Sequence, residues 1–244
     1  MLEVAETLAD GFCLGVGINE RRAGPGIDVY GLASAFGAHV EVRSDIPEDG
    51  RLEDSPRTTR ILLRGRSREE RRRFTLAHEL GHLVMAEPAV FHQVHAMLDY
   101  EDLDLEQLCD AFAAELLMPR RWLVSEFEGH PETLDVVDEL VRQANVSIAA
   151  ALTRLAIVLR WRASLFYFER GRAWTPVAIA GRLRRTTGLS LASGTAAELN
   201  RLFGGGKPSG RPIELRIDRN AIRLKGQIRA TRAGVLCLGH LGPS

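Results

Sequence analysis

Cysteine is scarce in this chain, and the three present, Cys13, Cys109 and Cys237, are odd in number and widely separated. That pattern excludes a disulfide framework and any Cys-x-x-Cys zinc or redox site, and it fits a reducing compartment. Long apolar runs are missing too. A stretch such as residues 155–159 falls far short of the ~20 residues that span a bilayer. The start, Met1-Leu2-Glu3-Val4-Ala5-Glu6, has neither the basic nor the apolar region of a secretory signal, so the expectation is a cytoplasmic protein with no membrane association. Lysine is nearly absent, arginine supplying 30 of the 32 basic residues, a bias better ascribed to coding than to thirty bidentate contacts.

Net charge is also lacking, at 32 basic against 32 acidic residues. The zero conceals two unlike halves. Residues 1–153 hold 15 basic and 28 acidic side chains and residues 154–244 hold 17 and 4, which leaves −13 and +13. A basic block of this size attracts nucleic acid, an acidic protein segment or the acidic half of its own chain, although a solvated surface is the preferred reading. What remains is an ordinary globular composition, 45% hydrophobic and 26% charged over 244 residues, enough for one or two cored domains.

Against that background one pentapeptide stands out, His78-Glu79-Leu80-Gly81-His82. Residues four apart on an α-helix lie ~40° apart around the axis and one turn along it, so both imidazoles can face a single Zn²⁺. Glu79 then sits beside the metal's water, whose pKa zinc lowers to about 7, and its carboxylate can take the proton as hydroxide attacks an amide. A His-Glu-x-x-His string arises by chance in roughly one chain of this size and composition in a hundred. The context agrees. Residues 68–86 contain no proline and one glycine, with apolar side chains at 74, 76, 77, 80, 83 and 84, and read as a mostly buried helix stopped by Pro88.

Two histidines and a water leave one position of a tetrahedron for a third protein ligand. The helix expected over residues 104–118 has an apolar stripe at 105, 108, 109, 112 and 116 and ends at Pro119. Glu106 and Glu115 flank that stripe on opposite sides, and periodicity does not choose between them; Asp99, Glu101, Asp102 and Asp104 are further candidates in a loop. Manganese is an alternative occupant of a His₂Glu site.

The segment Arg73-Phe74-Thr75-Leu76-Ala77-His78-Glu79-Leu80-Gly81-His82, followed by Glu106-Gln107-Leu108-Cys109-Asp110 and Ala113-Ala114-Glu115-Leu116-Leu117-Met118-Pro119, closely resembles the ImmA/IrrE family of zinc metallopeptidases, and most of all its IrrE-like stress-response branch. The resemblance implies a zincin-like α+β peptidase domain with His78, His82 and Glu106 as metal ligands and Glu79 as catalytic base. It pairs Glu106 with Asp110 and makes Glu115 non-ligating; Asp110, one turn beyond Glu106 on the same side, is either positioned to orient a ligand imidazole or a plain surface residue. It further implies a protein substrate: a helix-turn-helix repressor of the XRE type, cut so that stress or DNA-damage genes are derepressed. No oxyanion stabiliser is assigned; His92, His95 and Tyr100 are expected in the loop between the two ligand helices.

Along the rest of the chain, a short helix over residues 2–10 should give way to a Gly-rich stretch, then a helix over 28–36 capped by Asp28. Strands follow at 39–43 and 59–64, with Gly50 and Pro56 marking turns, and the arginine-rich 57–73 reads as an exposed edge strand and helix start. A helical pair, 132–143 and 147–159, has the spacing of a helix-turn-helix. Its second member is so apolar, with only Arg154 and Arg160, that a bracing hairpin is preferred to DNA reading. Beyond Trp161 the period becomes two, with strands at 164–169, 174–180, 213–218, 221–228 and 235–240 and a helix at 195–203. The run Leu189-Ser190-Leu191-Ala192-Ser193-Gly194-Thr195 bears a faint likeness to the GAF-like sensor of the IrrE-like branch. Gly204-Gly205-Gly206-Lys207-Pro208-Ser209 fails the glycine spacing of a phosphate loop and reads as a flexible connection. The expected organisation is a peptidase domain over 1–128, a helical region over 129–160 and a smaller β-rich domain over 161–244, either a short GAF-like sensor or a different β-rich cover. The competing function is a DNA-binding regulator whose metal is structural, closed by a fourth protein ligand.

Overall fold

The computed structural model describes residues 1–17, 25–55, 58–97, 104–171, 174–181, 189–191, 194–207, 213–217, 220–232 and 234–243. Among these the fold is mixed α+β and divides into two compact units, Met1–Glu126 with Leu140–Ser147, and Phe127–Glu139 with Ile148–Ser244. No described helix is long and apolar enough to cross a membrane.

The first unit opens with α1 (Leu2–Gly15), longer than glycine content suggests. Its stripe Val4, Ala5, Leu8, Ala9, Phe12, Cys13 continues past Gly11, and burial of that face outweighs the ~1 kcal/mol that glycine costs a helix. Helix α2 (Val29–Ala35) starts where expected, the Asp28 carboxylate accepting the Gly31 amide at 3.0 Å. The strands β1 (Ala38–Arg43), β2 (Gly50–Ser55) and β3 (Thr58–Arg64) form a sheet in the order β1-β3-β2, β1 parallel and β2 antiparallel to β3. Two expectations fail here. Gly50 begins a strand rather than a turn, and the arginine-bearing strand is central rather than at the edge. The run Gly50-Arg51-Leu52-Glu53-Asp54-Ser55 has no β-branched residue, so its strand character comes from pairing with β3. Arg60 is tolerated in the centre because Glu41 on β1 and Glu53 on β2 flank it across the ladder, at 3.9 and 3.4 Å.

Helix α3 (Glu69–Ala86) packs on this sheet and against α5 (Leu105–Leu117), with Leu76, Ala77 and Leu80 wholly buried. Each such leucine is worth roughly 1.5–3 kcal/mol of transfer free energy. Between them lies α4 (Pro88–Met97), where a loop was expected. Pro88 stops α3 and at the same time opens α4, because a first helical position needs no amide hydrogen. After α5 comes α6 (Arg120–Phe127). The helical pair is present as α7 (Leu134–Ala144) and α8 (Ile148–Val158), the chain turning at Asn145 with φ 50°. Arg154, one of the two cations available to a DNA-reading α8, is buried at 2% exposure and so withdrawn from solvent.

In the second unit β4 (Ser164–Arg170), β5 (Trp174–Gly181), β6 (Leu189–Leu191), β7 (Ile213–Ile217), β8 (Asn220–Ala230) and β9 (Gly234–Pro243) form an antiparallel sheet in the order β5-β4-β9-β8-β7-β6. Strand β6 is too short to show a period and was not expected. Helix α9 (Thr195–Phe203) lies on one face, its Leu199 and Leu202 packed with Phe166, Phe168, Leu215 and Val235. Pro208 and Ser209 of the glycine loop, and Ala192 and Ser193 of the GAF-like run, lie outside the described residues.

Candidate active site

Helix α3 carries His78 and His82 one turn apart on the face turned to α5, their ring centroids 4.9 Å apart and their Nε2 atoms 3.1 Å apart. Glu106, in the first turn of α5, reaches across. Its Oε2 is 3.3 Å from His78 Nε2 and its Oε1 3.4 Å from His82 Nε2. One donor atom from each of His78, His82 and Glu106 lies within 4.8 Å of the others, the closeness a single ion requires. The set of two imidazoles and a carboxylate has the donor chemistry of a zinc site, and among the described residues no fourth side chain joins it.

Asp110 stands behind this group. Its Oδ1 is 2.9 Å from His78 Nδ1. With a proton on Nδ1 donated to Asp110, the ring presents its Nε2 lone pair toward Glu106 and His82. Glu106 and Asp110 are one turn apart, so a single helix face supplies both groups.

The helix crossing places Glu106 and Glu115, which periodicity left tied, in different surroundings. Nine residues separate them, about 13 Å along the axis. Glu115 is buried at 3% exposure and its Oε1 accepts the Arg120 amide at 2.7 Å, joining the end of α5 to the start of α6. Asp104 is also engaged, as the N-cap of α5 accepting the Gln107 amide at 3.1 Å. Asp99, Tyr100, Glu101 and Asp102 lie outside the described residues. His92 and His95 are on α4, not in a loop, with the His95 ring 4.2 Å from that of Phe91.

Gly81, inside the pentapeptide, sets the helix separation. A Cβ there would stand 3.2 Å from Cys109 Cα and from Phe112 Cδ1, so α5 approaches α3 over a bare backbone. A lone glycine in an otherwise uninterrupted helical run is the signal by which sequence reasoning could have found it.

The Glu79 side chain lies against Gly50 of β2 and within electrostatic reach of His78 and Glu106. Burial pushes its carboxyl above the ordinary carboxylate range; His78 opposes the shift and Glu106 adds to it. Burial likewise lowers the His82 pKa, reinforced by His78 and opposed by Glu106 and Asp110. Neutral imidazole is the form that binds a metal.

Strand β2 is an edge of its sheet among the described residues. The Arg64 amide donates to Asp49 O at 3.0 Å, so Gly50 and Leu63 form a non-hydrogen-bonded pair. Gly50 therefore turns its own N–H and C=O outward, to the free edge.

A model of peptidase family M78, described as the IrrE N-terminal-like domain, matches residues 33–156, half of the chain. The curated relatives include the radiation response metalloprotease IrrE of Deinococcus radiodurans, 33% identical over 135 residues, which are 54% of this chain and 40% of that protein. The protein of the same name from Deinococcus deserti is 36% identical over 99 residues, 39% of this chain and 35% of that one. The matched part thus spans well under half of either relative. Among solved structures, a Mycobacterium tuberculosis transcriptional regulator aligns over 98% of this chain and 75% of that one, with 14% identity and a TM-score of 0.49.

Proposed function

The chain belongs to the ImmA/IrrE family of metallopeptidases, and from that premise we propose that it is a zinc-dependent endopeptidase that cuts a helix-turn-helix repressor of the XRE type in the cytoplasm, switching on stress or DNA-damage genes. The observation that carries the reading is the convergence of His78, His82 and Glu106 with Asp110 behind His78. In this assignment the zincin-like peptidase domain is residues 1–128, the helical region 129–160, and the β-rich 161–244 a sensor with a GAF-like character.

His78, His82 and Glu106 would hold the zinc, with manganese as an alternative occupant, and the ion supplies Lewis acidity toward water and the scissile carbonyl. Glu79 takes a proton from the attacking water on its carboxylate and passes it to the leaving amine nitrogen. Burial that raises its proton affinity suits a group that must hold the proton between those two events. Asp110 keeps the His78 ring in one tautomer. The outward N–H and C=O of Gly50 offer an extended substrate a place to pair next to Glu79.

The experiment is incubation of the purified protein with XRE-type repressors from the same genome, with and without chelator, beside Glu79→Gln. Cleavage that needs metal, and disappears in Glu79→Gln while metal content stays at the native level, is the expected result. Intact repressors with salt-sensitive duplex binding would instead establish the DNA-binding regulator.

A further inference from the structure

Among the described residues the Glu79 carboxylate is set by packing against a neighbouring strand. The packing partner is Gly50. A Cβ built on Gly50 would stand 2.3 Å from Thr75 Cγ2 and 2.9 Å from Glu79 Oε1, both well inside van der Waals contact. Its φ lies outside the left-handed region, so conformation does not demand glycine at this position. Space does. Thr75 is buried at 6% exposure one turn before Glu79, and its branched Cβ restricts the rotamers by which it could yield.

The strand has no easy retreat either. Asp49, the preceding residue, accepts Arg71 Nη2 at 2.6 Å and Nε at 3.0 Å, and the Ser67 hydroxyl at 3.3 Å, while its carbonyl accepts the Arg64 amide. These bonds tie the entry of β2 to α3 and to the turn before it.

We propose that Gly50 is a positioning residue for the peptidase reaction: its missing side chain lets the clamped edge strand lie against Thr75 and Glu79, confining the Glu79 carboxylate beside the strand edge that receives the peptide. The proposal rests on the peptidase reading for its functional consequence and on the packing alone for its geometry.

The test compares wild type, Gly50→Ala, Thr75→Ser and Gly50→Ala/Thr75→Ser, each loaded with zinc and measured for metal content, thermal melting, and kcat and KM on a cleaved repressor. Gly50→Ala should keep its metal and lose kcat by about tenfold or more, with KM within about threefold, because the base and not the binding surface is displaced. Thr75→Ser deletes the methyl that the new Cβ strikes; alone it should leave kcat within about twofold, and in the double variant it should recover a substantial part of the loss. Native kcat in Gly50→Ala, loss of metal together with activity, or a deficit that Thr75→Ser leaves untouched would each overturn the proposal. Should Gly50→Ala not fold, the double variant decides, since the Glu79 contact persists in it: reduced kcat with metal retained supports the assignment and native kcat refutes it. A crystal structure of the zinc-loaded alanine variant gives a readout free of activity. A Glu79 carboxylate moved by about 1 Å or more supports the proposal, and an unmoved one refutes it. Wild type that leaves every repressor intact refutes the peptidase reading and leaves that crystallographic test standing.

Discussion

Glu106 and Glu115 offer the sharpest contrast for mutation, because the same isosteric change should act on different states of the protein. Glu106 has a side chain 71% exposed and faces the two histidines, so Glu106→Gln should leave the metal-free protein as stable as wild type, within about 0.5 kcal/mol. Its effect belongs to the loaded state. At free zinc 1,000 times Kd, binding stabilises the fold by about 4.1 kcal/mol, and a ligand loss that weakens affinity about a hundredfold leaves about 1.4 kcal/mol. The difference of about 2.7 kcal/mol corresponds to roughly 5–10 °C in Tm for a protein of this size. Glu115 is the reverse case. It is buried and accepts the Arg120 amide, so Glu115→Gln should cost about 1–3 kcal/mol with or without metal and leave the zinc-induced rise in Tm intact. Thermal melts of the three proteins, chelated and zinc-loaded, with metal content measured after dialysis, separate the patterns. A Glu115→Gln protein that loses its metal response, or a Glu106→Gln protein that keeps it, would refute the ligand assignment.

Other consequences are as specific. Asp110→Ala should weaken zinc binding about 10- to 100-fold by freeing the His78 ring, measured by competition with a chromophoric chelator; unchanged affinity would remove Asp110 from the site. Gly81→Ala must push α5 away by a few tenths of an ångström. It should cost about 1–3 kcal/mol in denaturant unfolding and lower zinc affinity, and a neutral result would show that the helices have slack. Burial pushes the Cys13 thiol up to about 11 and those of Cys109 and Cys237 to about 12. At pH 8 roughly one thiol in a thousand to ten thousand is then ionised, so labelling by a disulfide reagent should be very slow until denaturant is added. Labelling of any of the three within seconds in the native protein would contradict that burial.

How much was legible before the structure follows from the range of each interaction. The helix over residues 69–86 was legible because its apolar stripe, its motif and its proline stop all lie within a few turns of one another. So was the Asp28 cap, which bonds an amide three residues on. Helix α4 was hidden because Pro88 carries the same letter whether it ends one helix or begins the next. Strand β2 was hidden because its residues become a strand only through β3, and β3 took the centre of the sheet because a parallel partner from upstream claimed its other edge.

The division is sharpest at the site. By itself the sequence put His78, Glu79 and His82 on one helix, with the two histidines a turn apart, since a 3.6-residue period needs no help from the rest of the chain. Periodicity narrowed the expected third ligand to acidic residues flanking a stripe, and the family resemblance singled out Glu106. Only tertiary structure brought Glu106 to the histidines and sent Glu115 to cap the next helix, because the choice depends on where two helices cross, and that point is fixed by the bare backbone of Gly81 against Cys109 and Phe112. Only tertiary structure brought Gly50 to Glu79, a contact between a strand and a helix that meet through the sheet, which no spacing along the chain encodes.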